Sequence, residues 1–186
     1  RTSARRPVTI RAVQAALRPD EVLYEVALGE PASFGIIVTR STARTVRLPA
    51  RKAILAQAGA LVSATRVGTD ISSEAKALGG TLLTGLSELS SHRRLIISAE
   101  GSLQQVPFEL LEHPSANRQR LLETHVVSYT PSPSILAMLR TRPASVQTGR
   151  GALAVAASPP ANTGTNGASG GLGTNGIYDL NAGQLR

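Results

Sequence analysis

The sequence predicts an α/β layered fold, a mixed sheet flanked by helices and preceded by an antiparallel strand meander. Three observations point there. Three short β-branched runs between residues 22 and 48 are separated only by turn clusters. From residue 51 onward, helix-periodic segments alternate with short continuous apolar runs. Of the 186 residues, 41% are hydrophobic but only 3% aromatic, so the core is built from Leu, Ile, Val and Ala.

Val8 to Arg18 reads as a short helix or an approach segment, and Pro19 predicts its stop. Val22 to Leu28, Phe34 to Thr39 and Thr42 to Leu48 are the three strands. The clusters Gly29-Glu30-Pro31 and Arg40-Ser41 turn between them. In the third strand Arg44, Val46 and Leu48 share one face, and Thr45 and Arg47 the other. A helix follows, with Ile54, Ala58, Leu61, Val62 and Thr65 on one stripe. A second stripe holds Leu78, Leu82, Leu86 and Leu89, with Asp70, Ser72 or Ser73 capping its start. Gly79, Gly80 and Gly85 cost that helix about 1 kcal/mol each if exposed, so the expectation is close packing on a sheet.

Arg93 to Ser98 is a continuous apolar run after a helix, which suits a buried parallel strand. His125 to Tyr129 is another strand. Pro133 to Arg140 is a short helix with proline in its first turn. Thr141 to Arg150 reads as a linker, and Gly151 to Ala157 as a further buried strand stopped by Pro159-Pro160. Residues 160–177 are of low complexity and have little to bury.

The formal charge is +8, and most of the excess lies in two acid-free stretches, residues 1–19 and 31–69. Such a field favours nucleic acid or an acidic partner. Yet the arginines are scattered and no aromatic side chains interleave with them for base stacking, so a solvated basic face outweighs a polyanion site. No stretch reaches the ~18 apolar residues that span a bilayer, so no membrane partner is expected. The chain begins with Arg1, and five arginines without an acid in residues 1–19 have the look of a transit peptide. A lead-in segment cut from a longer protein explains the same residues better.

There is no cysteine. Disulfides, thiolate metal sites and a Cys nucleophile are therefore excluded, and a cytoplasmic chain is expected. Gly171-Leu172-Gly173-Thr174-Asn175-Gly176 matches a dinucleotide fingerprint by letter. Its glycines stand too far from a strand end, and no helix opens after it, so no cofactor is expected. Of the three histidines, His92 stands where it caps a helix end, His113 precedes a proline in a loop, and His125 lies within a predicted strand. None has a second His at ligand spacing, so no metal is expected. No Gly-x-Ser-x-Gly elbow is present, and Ser98 and Ser128 read as strand residues rather than nucleophiles. No catalytic residue is assigned.

Val106-Pro107-Phe108-Glu109-Leu110-Leu111 is the sharpest local signal. Pro107 sets a turn and Phe108 plugs the space beneath a short helix, a packing role. This turn stands in an ordered set: the meander Glu21 to Leu48, two helices, the strand Leu95 to Glu100, Pro107 to Glu109, the strand Val126 to Thr130, Pro131-Ser132 with the helix Ile135 to Leu139, and the strand Ala152 to Ala157. The set resembles the front half of a CHAT domain, a caspase-like, separase-related cysteine peptidase module often found with tetratricopeptide repeats. The resemblance covers residues 20–159.

The resemblance implies a caspase-like fold divided into a lead-in segment (1–19), an inactive, pseudo-caspase-like half (20–150), and the first strand and Gly-rich loop of a catalytic half (151–186). In that family the catalytic His and Cys lie on loops after later strands of the second half, and no position here matches either. The expected function is the non-catalytic scaffold half of a cysteine endopeptidase. Its expected partners are the catalytic half, on the same or a nicked chain, and a tetratricopeptide-repeat domain. The alternative is a catalytically inactive module that binds protein or nucleic acid. Some related peptidases cut after arginine, which makes Arg186 the candidate processing site, although a simple chain end explains it better.

Overall fold

The computed structural model describes residues 8–114 and 119–141. Five strands form one mixed sheet in the order β3-β2-β1-β4-β5. The meander is β1 (Glu21–Ala27), β2 (Ser33–Val38) and β3 (Ala43–Leu48). Its antiparallel register sets Leu23 opposite Val38 and Gly35 opposite Val46. The strands β4 (Arg94–Ala99) and β5 (Val126–Tyr129) run parallel to β1, with Leu23 opposite Ile96 and Ile96 opposite Ser128.

Central position explains the composition of β1 and β4. Both strands are covered on two faces, so both read as continuous rather than alternating apolar runs. The strand β3 lies at the sheet edge and alternates instead, with Arg44 and Val46 half-buried and Thr45 and Arg47 exposed.

One face packs on α2 (Arg51–Val67) and α3 (Ser72–Leu83). Val22, Tyr24, Val26, Leu95 and Ile97 meet Ile54, Ala58 and Leu61 from α2 and Leu78 and Leu82 from α3. Each fully buried Leu or Ile contributes about 1.5–3 kcal/mol. The phenol of buried Tyr24 donates 2.7 Å to the Leu82 carbonyl, tying the end of α3 to the middle of the sheet. Gly35 makes room for that ring, since a Cβ there would stand 2.6 Å from the Tyr24 Cε2. The helix α2 ends at Gly68 in the left-handed region (φ 75°), where glycine carries no Cβ penalty. The N-cap of the next helix is Ile71, without a side-chain cap; Asp70, one residue earlier, accepts from the Ser72 N–H at 3.0 Å.

The opposite face packs on α1 (Ile10–Ala16) and α5 (Pro133–Thr141). Val13 and Leu17 join Leu136 and Ala137 over Leu23, Val38 and Ile96. Thr9 caps α1, accepting from the Ala12 N–H at 3.3 Å.

The structure corrects three expectations. The stripe through Leu86 and Leu89 is not one helix: α3 stops at Leu83, and a 3-10 turn at Ser87–Ser90 buries Leu89. The Arg44 guanidinium holds that turn, reaching Glu88 through Nε (2.6 Å) and Nη2 (2.5 Å) and the Gly85 carbonyl at 2.6 Å. His125 is not in a strand but ends the one-turn helix α4 (Leu121–Thr124), which the sequence reading missed. The three glycines also differ. A Cβ on Gly85 would meet Val46 of the sheet at 2.9 Å, a Cβ on Gly79 would meet the Glu112 carbonyl oxygen at 2.3 Å, and Gly80 faces open space. Close packing thus holds against the sheet at Gly85, against a following loop at Gly79, and nowhere at Gly80.

The predicted strand Gly151 to Ala157, most of the linker before it, the Gly-rich segment and Arg186 lie outside the described residues. Among the described residues no helix is long and apolar enough to cross a membrane.

The glycines give a paired test. Gly80→Ala raises stability by up to about 1 kcal/mol, whereas Gly79→Ala lowers it by about 1–3 kcal/mol because backbone cannot yield. Urea midpoints of the two variants measure this, and equal shifts contradict the packing described.

Candidate functional site at the carboxyl edge of the sheet

The parallel strands β1, β4 and β5 all end at one edge, the edge at which open α/β sheets hold their ligands. Two turns build this edge. After β4, Gly101 adopts φ 57° and starts a 3-10 turn to Gln105, anchored by buried Leu103. Gln104 donates from Nε2 to the Ala99 carbonyl at 3.1 Å. The second turn is Phe108–Leu110, entered through Pro107.

Phe108 is fully buried, as its packing role requires, and meets Tyr129 edge-on with ring centroids 6.3 Å apart. Tyr129 ends β5, and its phenol does two jobs. It accepts from the Phe108 N–H at 3.0 Å and donates to Glu109 Oε2 at 2.6 Å. Burial first, then the Glu109 carboxylate, holds this phenol above its ordinary pKa. The Pro-Phe-Glu turn is thus locked onto the end of β5, a link invisible in the sequence.

Two adjoining cavities flank this lock. One of about 350 Å³ lies between α2 and the turns, lined by Val62, Thr65, Arg66 and Pro107. The other, about 250 Å³, is lined by Ile97, Ala99, Thr130 and Pro131. Gln104 and Tyr129 line both. At the end of β1, Glu100 Oε1 accepts from the Leu28 N–H at 2.8 Å and from Arg51 at 3.3 Å. Burial, and then the Glu100 charge, raises the pKa of nearby Glu25.

No histidine reaches this edge. His92 stands two residues before the start of β4 and His125 directly precedes β5, so both stand at the amino edge, about 15–20 Å away along the strands. They bind successive carbonyls of the Ser87–Ser90 turn. His92 Nδ1 donates to the Glu88 carbonyl at 2.9 Å and His125 Nε2 to the Leu89 carbonyl at 2.9 Å. Carbonyls only accept, so each ring nitrogen carries its proton. The capping role read for His92 therefore holds.

His113 is buried and stacks on His125, centroids 6.1 Å apart and planes 14° from parallel. The sequence reading missed this pair, because a loop and α4 bring the two together. Burial, and then the His125 ring, pushes the His113 pKa down from 6.5. Ser98 and Ser128 lie in the extended backbone of β4 and β5, as expected of strand residues. Among the described residues no group of three metal-ligating side chains converges. The dinucleotide-like glycines 171–176 and Arg186 lie outside the described residues.

A family model described as the CHAT domain matches residues 72–170, more than half of the chain. It spans α3 through α5 and continues past the described residues, while the meander and α2 precede it. No curated protein matches the chain.

His113 makes stability pH-dependent. Its folded pKa is depressed, so the unfolded chain binds more protons and stability falls as pH drops through 6.5. Between pH ~7.5 and ~6.0 the urea midpoint declines, and His113→Asn flattens that decline. An unchanged slope in the variant contradicts the assignment.

Proposed function

From the premise that the chain belongs to the CHAT domain family, whose members are caspase-like and peptidase-related, we propose that it is the non-catalytic scaffold half of a cysteine endopeptidase. The His and Cys of that enzyme lie outside these 186 residues. One observation carries this reading. The chain has no cysteine, and its three histidines are all committed at the amino edge to carbonyls or to one another. Nucleophilic catalysis by a thiol needs a cysteine with a histidine base within hydrogen-bond reach, and among the described residues the carboxyl edge carries neither.

On this reading Gly151 to Ala157 is the first strand of a second, catalytic half. That half is the principal partner proposed, with a tetratricopeptide-repeat domain as a second, in the cytoplasm.

The basic surface lends little to a nucleic-acid module. Arg44, Arg51, Arg94 and Arg140 pair with Glu88, Glu100, Asp20 and Glu21, so part of the positive charge is engaged within the chain.

The test uses a peptide library and a thiol-directed peptide probe. The 186-residue chain alone cleaves nothing, whereas the full-length parent cleaves peptides and takes the label on a cysteine beyond residue 186. Turnover by the chain alone overturns the proposal. A parent that neither cleaves nor takes the label makes this an interaction module instead.

A further inference from the structure

The first and last helices described share one buried ion-pair site. Glu21 opens β1, and its side chain is only 4% exposed. Arg140, from the last turn of α5, grips both carboxylate oxygens, Nη1 on Oε2 and Nη2 on Oε1 at 3.0 Å. The same Nη1 donates to the Ala16 carbonyl at the end of α1, at 2.9 Å. The Arg18 N–H completes the cage, donating to Glu21 Oε2 at 2.8 Å. One guanidinium thus touches the end of α1, the start of β1 and its own helix α5.

Neither helix stands alone. α1 has seven residues and α5 nine, too short to persist in water without tertiary support. Their shared apolar contact rests on Val13, Leu17, Leu136 and Ala137, with Val8 and Ala16 packed against it. A buried carboxylate that loses its bidentate cation is strongly unfavourable, and the largely exposed Arg18 side chain, 3.9 Å from Oε1, replaces neither bond, so separating the helices exposes or strands Glu21. The pair is therefore built to hold or release as one.

We propose that Glu21 and Arg140 form a joint that makes α1 and α5 a single cooperative unit, coupling the chain that arrives at Ile10 to the chain that leaves at Thr141. Its consequence rests on the scaffold reading above. A partner that grips the lead-in segment shifts, through this joint, the start of the segment leading to the catalytic half. Coupling of this kind requires an element whose state both ends bias, and the joint is that element.

Native-state hydrogen exchange on the 186-residue chain tests the joint without reading peptidase activity, so its failure is separate from failure of the scaffold reading. Ala15 is exposed on α1, and Ala15→Gly weakens that helix alone, raising exchange of its amides about five-fold. With Arg140 intact, the amides of Ala137 to Arg140 in α5 rise by a similar factor, while those of α2 and α3 stay unchanged. Arg140→Met by itself raises exchange in both helices about 10- to 100-fold. In that background Ala15→Gly no longer moves α5. If α5 ignores Ala15→Gly when Arg140 is present, the two helices are not one unit and the proposal falls. If α5 follows Ala15→Gly equally in both backgrounds, the coupling does not run through Glu21 and Arg140, and the proposal falls as well.

Discussion

The parallel pairing of β1 with β4, Leu23 opposite Ile96, is the constraint on which the rest of the fold depends. It places both strands at the sheet centre and buries them on two faces. Helices are then needed on both sides, and the chain supplies α2 and α3 on one and α1 and α5 on the other. With β5 parallel to β4, it also gives the sheet two chemically distinct edges. The amino edge collects the segments preceding β4 and β5, and with them every histidine of the chain. The carboxyl edge collects the turns at Gly101–Gln105 and Phe108–Leu110.

That division accounts for the function proposed. An α/β sheet offers its carboxyl edge for ligands, and here the edge is fastened rather than equipped. Tyr129 locks the Pro-Phe-Glu turn, Gln104 holds the end of β4, and Glu100 holds the Leu28 N–H. The titratable rings that serve as bases in peptidases are instead spent on the Glu88 and Leu89 carbonyls, and the turn they hold is also gripped by Arg44. Such a frame fits the scaffold role proposed.

The strands were legible because position and composition agree. The continuous run Leu95-Ile96-Ile97 announced a buried strand, and the split of Arg44, Val46 and Leu48 from Thr45 and Arg47 announced a strand with two unlike faces, while its edge position emerged only from the sheet order. The family was legible from the order of such pieces, since residues 72–170 match its model. What stayed hidden depends on contacts distant in sequence. His113 meets His125 only because the chain loops back through α4, and Glu21 meets Arg140 across almost the whole described chain. Leu86 and Leu89 misled because a 3-10 turn can bury leucines at nearly helical spacing. Gly79 needed the Glu112 backbone in view before its lack of a side chain had a reason.

The central claim is that His92 and His125 are structural donors at the amino edge and not bases in waiting. Nitrogen-15 NMR of the imidazole rings at neutral pH reads this directly, because it separates the two tautomers of each ring. The account predicts that His92 carries its proton on Nδ1 and His125 on Nε2, each held by its carbonyl. Rings that average between both tautomers, or carry the proton on the other nitrogen, contradict it.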